Sequence, residues 1–179
     1  MSRLLKLSLL LLLFVSSVKA TQISDLPKQF LGLISNEIKQ FYDGLTSDEK
    51  QIIEMVDASN HTESNYTAVY KEFNKALGEK AEEYVNKEAA KILKLEASAR
   101  NFYLQILQLP NQLKLINGGK RKDWKRMAKE LLVQYDKLPT ESKATFKEQY
   151  PEVSETLTGD ELRQFAGLPT TKNAKDSSN

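Results

Sequence analysis

The segment Ala99–Leu113 reads ARNFYLQILQLPNQL and is more apolar than a surface helix needs to be. At about 100° per residue, its apolar side chains fall within an arc of roughly 160°. The residues in this arc are Ala99, Phe102, Tyr103, Ile106, Leu107, Leu109 and Leu113. An ordinary surface helix needs an apolar stripe only a little over about 100° wide. Other helices must therefore surround this segment, which forms either a central core helix or one wall of an apolar ligand cavity.

The same helical spacing recurs before and after this segment. Apolar residues lie three or four positions apart in residues 23–42, 52–56, 66–77, 79–95, 120–138, 140–150 and 161–166. No segment alternates between apolar and polar residues over the length of a strand. The sequence therefore predicts an all-α fold with many helices of unequal length.

Glycine and proline predict where some of these helices end. We expect Gly78 to end the stripe that begins at Tyr66, and Pro110 to kink or end the central helix. Nothing between Glu79 and Leu109 forces an earlier stop, so one long helix is allowed there. Residues 71–94 are rich in Lys and Glu, as in a coiled coil, but the heptads do not persist and a charge-rich helix surface is the better interpretation.

The first 20 residues have the pattern of a secretory signal peptide. Arg3 and Lys6 precede a short apolar run at 7–14, and the segment ends in Val-Lys-Ala at Ala20. This run is shorter than the ~20 residues that span a bilayer, so an uncleaved membrane anchor is only the alternative. We expect cleavage after Ala20, a helical domain at 21–168, a disordered tail at 169–179, and a secreted, extracellular protein.

Charge and composition exclude several classes of function. The 179-residue chain has 26 basic and 24 acidic residues, and removal of residues 1–20 leaves 23 basic residues. This balance gives no case for nucleic-acid binding. The chain has no cysteine, and His61 is its only histidine, which excludes disulfides, zinc sites and histidine-assisted nucleophiles. The carboxylates lie among lysines on solvated helix faces, so we expect no enzymatic activity, metal or cofactor.

Three short motifs predict a helix cap and modification sites. Thr46-Ser-Asp-Glu49 has the pattern of a capping box, in which Thr46 caps the helix that follows and Glu49 bonds back to the Thr46 backbone. Asn60-His-Thr and Asn65-Tyr-Thr are N-glycosylation sequons. In an exported chain, Asn60 and Asn65 are therefore candidate glycosylation sites.

Four stretches, in matching order and spacing, make this chain similar to the nematode fatty-acid- and retinol-binding proteins. They are residues 41–50 (FYDGLTSDEK), 95–102 (LEASARNF), 138–144 (LPTESKA) and 146–153 (FKEQYPEV). The first resembles that family's helix-opening Leu-Thr/Ser-x-Glu/Asp-Asp/Glu-Lys, and the last resembles its Phe/Tyr-Pro stop before the final helix. The chain departs from the family where Leu77-Gly78 replaces a Ser-Pro pair, and where the second stretch lacks a proline.

The resemblance implies a single-domain helical carrier that encloses an apolar cavity and binds long-chain fatty acids and retinol. Candidate wall residues, each of which could equally be a core residue, are Phe102, Ile106, Leu107, Trp124, Leu131 and Tyr135. Arg100 and Lys94 border the central segment and are candidates to hold a carboxylate at the cavity mouth. Thr46 resembles the family's acid-directed phosphorylation site, in addition to its role as a cap. We expect a monomer that contacts membranes transiently during lipid transfer.

Two other functions fit the same helical pattern. A secreted helical protein-interaction module without a small-molecule ligand would use the excess apolar surface of Ala99–Leu113 to bind a partner. Amphipathic helices on a membrane surface are the third option, although residues 21–179 lack the basic bias that favours anionic lipid. An enclosed apolar face favours the carrier, and an exposed one favours the interaction module.

Overall fold

Every regular element in the described part of the chain is an α-helix. The computed structural model describes residues 26–58, 66–115 and 121–170, and the predicted all-α class is confirmed over these ranges. Their helices are α1 (Lys28–Leu31), α2 (Asn36–Asp43), α3 (Ser47–Ala58), α4 (Tyr66–Phe73), α5 (Lys75–Lys94), α6 (Ala97–Leu115), α7 (Arg121–Asp136), α8 (Thr140–Gln149), α9 (Pro151–Thr158) and α10 (Asp160–Ala166). The predicted signal peptide at 1–20, the asparagines of both sequons and the tail from residue 171 lie outside the described residues.

The described helices fall into two compact units. The first unit comprises residues 36–93 and contains α2, α3, α4 and nearly all of α5. The second comprises residues 26–35 and 94–170 and contains α1 and α6 to α10. Each unit has a buried apolar core of its own.

In the first unit, the capping box at the start of α3 forms as the sequence predicts. The Glu49 backbone N–H donates to Thr46 Oγ1 at 3.2 Å, and the Thr46 backbone N–H donates to Glu49 Oε2 at 2.8 Å. These bonds satisfy two of the backbone N–H groups that a helix start leaves without partners. The helix then packs against α4 and buries Ile53 and Val56 in the core.

The junction between α4 and α5 shows that the prediction for Gly78 was wrong. The side-chain carbonyl of Asn74 accepts a hydrogen bond from the Leu77 backbone N–H at 3.0 Å, so α5 begins just after Asn74. Gly78 lies buried inside the first turns of α5. A Cβ atom at this position would lie 2.8 Å from the Lys71 backbone nitrogen and 2.9 Å from its Cα. The glycine therefore allows two helix backbones to approach closely, and it ends neither helix.

We expect Gly78→Ala to destabilise the protein by about 1–3 kcal/mol, because the new methyl group meets backbone atoms that cannot rotate away. Thermal or urea unfolding would measure this loss. The matched control is Gly44→Ala, where the nearest atom to a new Cβ is the Gln40 carbonyl oxygen at 3.2 Å. If both variants unfold alike, the close approach at Gly78 does not limit stability.

The second unit is organised around an aromatic cluster. The rings of Tyr103 and Tyr150 stack with their centroids 3.9 Å apart, and Phe146 lies 5.6 Å from Phe102 and 5.7 Å from Tyr150. A buried hydrogen bond of 3.0 Å joins the hydroxyls of Tyr135 and Ser154. The cluster contains residues from α6, α7 and α8, so its rings connect helices that lie far apart in the sequence.

The structure shows where the central helix begins and that Pro110 does not end it. Two non-helical residues, Leu95 and Glu96, separate α5 from α6. The Glu96 carboxylate accepts hydrogen bonds from the Ser98 backbone N–H at 2.8 Å and from Ser142 Oγ at 2.5 Å. These bonds lower the pKa of Glu96 and cap the start of α6. Helix α6 then continues through Pro110 to Leu115, so the proline does not end it. Pro110 has no backbone N–H to donate, so one carbonyl of the preceding turn lacks its usual helical partner.

Candidate functional site

A groove runs between α2 and α5 in the first unit. Its volume is about 270 Å³, and it is lined by Glu37, Gln40, Phe41 and Gly44 from α2 and its C-terminus, and by Lys80, Glu83, Tyr84 and Lys87 from α5. Both sets have the spacing i, i+3, i+4, i+7, so one face of each helix forms each wall. The wall residues are thus set by helical periodicity at two distant places in the chain.

The groove has an aromatic floor and a charged rim. The Phe41 and Tyr84 ring centroids are 5.1 Å apart at an angle of 31°, and both residues are less than one tenth exposed. At the rim, Lys87 pairs with Glu83 at 2.6 Å. Such a floor can hold an apolar group, while the rim keeps the groove edge in water.

One rim lysine is held by a buried carboxylate. Lys80 Nζ donates to both Glu49 carboxylate oxygens, at 2.9 and 2.8 Å, and to the Gly44 carbonyl oxygen at 3.1 Å. Burial alone would raise the pKa of Glu49, but the hydrogen bonds from Lys80 and Thr46 and the charge of Lys80 outweigh it, and the pKa is lowered. The capping box and this ion pair share Glu49 and connect the start of α3 to α5.

Helix α5 buries two polar side chains, one at the groove floor and one a helical turn further along the helix. Glu88 is completely buried, and it follows Tyr84 by one helical turn. The Tyr84 phenol oxygen is also buried and has no hydrogen-bond partner among the described residues. Burial raises the pKa of Tyr84 well above 10, and the charge of Glu88 raises it further. Tyr84 is therefore a neutral phenol at physiological pH.

The predicted wall residues lie together in the second unit. Five of them, Phe102, Ile106, Leu107, Leu131 and Tyr135, are at most 5% exposed. The Phe102 and Tyr135 rings are 5.6 Å apart, which joins α6 to α7. Trp124 is half-buried, and its ring lies 5.0 Å from that of Phe30. Five of the six are as buried as core residues, and the role of all six as cavity walls stays a prediction.

The predicted carboxylate-binding residues differ in their surroundings. The Arg100 guanidinium donates to the Leu95 carbonyl oxygen at 2.9 Å and so holds the break between α5 and α6. Lys94 is exposed at the end of α5. Both residues border the α5–α6 break, and nothing in the described contacts tests their role toward a ligand.

Of the predicted modification sites, Thr46 is exposed at the start of α3, whereas Asn60 and Asn65 lie outside the described residues. The exposed Thr46 hydroxyl also accepts the capping bond from Glu49. Phosphorylation at Thr46 stays a prediction. A phosphate there would lie at a helix N-terminus, where the backbone dipole favours negative charge.

We expect Thr46→Ala to cost about 1 kcal/mol of stability, because it removes the side-chain cap of α3. Thermal unfolding of unmodified bacterial protein would measure this. Ser47→Ala, at the next exposed position, is the matched control. An unchanged melting temperature in Thr46→Ala would contradict the cap as a stabilising contact.

Sequence reasoning missed the groove. It treated residues 79–95 only as a helix with apolar residues at helical spacing, and it did not consider α2 and α5 together. One signal was present, since Glu88 occupies a position in the same helical stripe as Ala81, Tyr84 and Ile92. A carboxyl group in a core stripe indicates a buried polar site.

No helix among residues 26–58, 66–115 and 121–170 has the length and hydropathy to cross a bilayer. The same ranges contain no group of three or more His, Cys, Asp or Glu side chains placed to hold a metal ion.

Over the described residues the protein is all-helical, with buried aromatic side chains and a groove that has an aromatic floor and a charged rim. Comparison with known proteins gives the family. Residues 28–167 match the family model described as nematode fatty acid retinoid binding protein (Gp-FAR-1). The chain therefore belongs to this family, which is one of binding proteins rather than enzymes.

Individual relatives and a solved structure are similar over most of the chain. The fatty-acid and retinol-binding protein 1 of Loa loa is 25% identical over 174 residues, which is 92% of this chain and 98% of the relative. The fatty-acid and retinol-binding protein 2 of Caenorhabditis elegans is 27% identical and covers 80% of this chain and 82% of the relative. The structure of Na-FAR-1 from Necator americanus has the same fold, with a TM-score of 0.63, 23% identity, and coverage of 81% of this chain and 97% of that one.

Proposed function

We propose that this protein is a secreted carrier that reversibly binds long-chain fatty acids and retinol in an apolar helical interior. Membership of the family over residues 28–167 is the observation that carries this proposal. The names of the relatives add the ligands, which are fatty acids and retinol. Transient contact with membranes would deliver or collect the ligand.

The apolar side chains of α6 support the carrier over the interaction module. Phe102, Tyr103, Ile106 and Leu107 are each at most 4% exposed. An interaction module would instead present this face to solvent. An enclosed acyl chain would gain about 0.8 kcal/mol for each buried CH₂ group, before the losses that accompany immobilisation. A carboxylate would stay at the mouth, because burial of an unpaired charge is costly.

Binding can be tested through the single tryptophan of the chain, Trp124. We expect retinol to quench Trp124 emission by energy transfer, with saturation at a fixed stoichiometry, and oleate to reverse the quenching. A fluorescent fatty-acid analogue should shift its emission to the blue when it binds. The control is Trp124→Phe, which should keep the shift of the analogue and lose the energy transfer.

If the analogue stays in water-like surroundings at saturating protein, the carrier proposal fails and the interaction module takes its place. Lipid extracted from protein secreted by eukaryotic cells, analysed by mass spectrometry, would identify the natural ligand. The absence of any bound lipid together with negative titrations would contradict the carrier on both counts.

Secretion is part of the same proposal and has its own test. The full chain expressed in insect cells should appear in the medium with Thr21 as its first residue, because Val-Lys-Ala precedes it. Asn60→Gln and Asn65→Gln should each remove one glycosidase-sensitive shift if both sequons are occupied. Retention of the chain in cells, or a leader that is still attached, would contradict export.

A further inference from the structure

At the floor of the α2–α5 groove, the Tyr84 hydroxyl is a polar group without a hydrogen-bond partner among the described residues. Tyr84 lines the groove and is 6% exposed, and its hydroxyl has no hydrogen-bond partner among the described residues. Buried polar groups in native proteins almost always have a partner, because an unsatisfied one loses its bonds to water without replacement. The Tyr84 hydroxyl therefore has unused hydrogen-bonding capacity at a residue that lines the groove.

The surroundings of this hydroxyl are negative and polar. Burial is the main cause of the raised pKa of Tyr84, followed by electrostatic interactions with Glu88, Tyr42 and Glu37. Glu37 lines the same groove as Tyr84, and Glu88 follows Tyr84 by one turn of α5. Glu37 is paired with Lys91 at 2.6 Å, and Glu88 is completely buried. The phenol keeps its proton and can both donate and accept a hydrogen bond.

These surroundings select the terminal group of a ligand. An alcohol can accept from the Tyr84 hydroxyl or donate to it, and it carries no charge to desolvate. A carboxylate would have to give up its hydration and approach the carboxyl groups of Glu88 and Glu37. The rim lysines do not reverse this preference, because Lys80 is bound to Glu49 and Lys87 to Glu83.

We propose that the α2–α5 groove recognises the hydroxyl of an alcohol at the end of an apolar chain, with Tyr84 as its hydrogen-bond partner. The chain of the ligand would contact the Phe41 and Tyr84 rings, which must separate slightly to expose the phenol oxygen. The inference rests on the proposed carrier function for its ligands, among which retinol is the alcohol. According to this inference, the hydroxyl of an alcohol ligand binds at Tyr84, whereas the carboxylate of a fatty acid stays away from Glu37 and Glu88.

The test compares retinol with retinoic acid, which share a carbon skeleton and differ at the terminal group. In Tyr84→Phe we expect the Kd of retinol to rise about five-fold, the usual value of one hydrogen bond. The Kd values of retinoic acid and oleate should change less than two-fold. The matched control is Tyr70→Phe, which removes the same atom from a tyrosine that is also buried in the first unit but does not line the groove.

A second measurement separates binding from folding. Because the Tyr84 hydroxyl makes no hydrogen bond in the described structure, ligand-free Tyr84→Phe should melt no lower than the wild type. Retinol should raise its melting temperature less than it raises that of the wild type or of Tyr70→Phe. A lower melting temperature of the ligand-free variant would show that the hydroxyl has a structural partner, which would overturn the proposal.

The outcomes distinguish this inference from the carrier proposal. If the wild type binds retinol and oleate but Tyr84→Phe binds retinol as well as Tyr70→Phe does, the groove inference fails and the carrier stands. An equal weakening of retinol, retinoic acid and oleate would also overturn it, because the effect would not depend on the terminal group. If the wild type binds none of these ligands, the carrier proposal fails, and the inference fails with it.

Discussion

Phe146→Ala should lower the free energy of unfolding by about 3–5 kcal/mol, which is a large part of the stability of a typical domain. Phe146 has no exposed surface, and its ring lies within 6.0 Å of those of Phe102, Tyr103, Tyr135 and Tyr150. The surrounding rings belong to α6, to α7 and to Tyr150 between α8 and α9, and they cannot all move in to fill the space. Urea unfolding followed by circular dichroism would measure the loss.

The control for this prediction is Phe73→Ala, because Phe73 is 52% exposed at the end of α4. Removal of that ring should change stability by less than about 1 kcal/mol. Similar losses in the two variants would mean that the aromatic cluster does not hold the second unit together. A large loss in Phe146→Ala alone would show that it does.

Lys80→Met should cost about 2 kcal/mol at neutral pH, because it leaves the Glu49 carboxylate buried without its cation. Glu49 has a side chain only 5% exposed, whereas that of Lys80 is 42% exposed. Because Lys80 is partly hydrated, we expect Lys80→Met to cost less than the 3–5 kcal/mol that is typical for breaking a fully buried ion pair. Lys87→Met is the matched control, since Lys87 and Glu83 are both 67% exposed and such pairs contribute little.

The cost of Lys80→Met should depend on pH in a defined direction. The pKa of Glu49 is lowered in the folded protein from its ordinary value of 4.5, so the pair stabilises the fold above that pH. As the pH falls through the lowered pKa, Glu49 takes up a proton and this contribution is lost. The stability difference between wild type and Lys80→Met should therefore shrink below about pH 4. A difference that stays constant from pH 7 to pH 3 would show that Lys80 acts through packing rather than charge.

Features that depend on neighbours in the chain were predictable from the sequence. The helical class follows from apolar residues three and four positions apart. The capping box at Thr46 and Glu49 follows from a three-residue spacing, and both of its hydrogen bonds form. In each case the physical cause acts within one or two turns of helix, so the residues that decide it are adjacent in the sequence.

The roles of three residues at or near expected helix ends, Glu96, Gly78 and Pro110, were not predictable in this way. Glu96 caps α6 with help from Ser142, which lies 46 residues later in the chain. Gly78 is a glycine because α5 approaches the backbone of Lys71, and not because a helix ends there. Pro110 lies within α6 although it has no backbone N–H to donate. The cap of α6 and the requirement for glycine at position 78 each depend on a contact that no local pattern contains.

The sequence by itself determined that this protein is helical, free of disulfides and built around an apolar central segment. It also pointed to the family, because four short stretches occur in the right order. Only the tertiary structure decided that Phe41 and Tyr84 meet in one groove, that Lys80 holds Glu49, and that Glu88 is buried beside Tyr84. The physical reason is that the spacing of apolar residues in the sequence predicts which side chains share a face of one helix. Which other helix that face contacts depends on how all the helices of the unit pack.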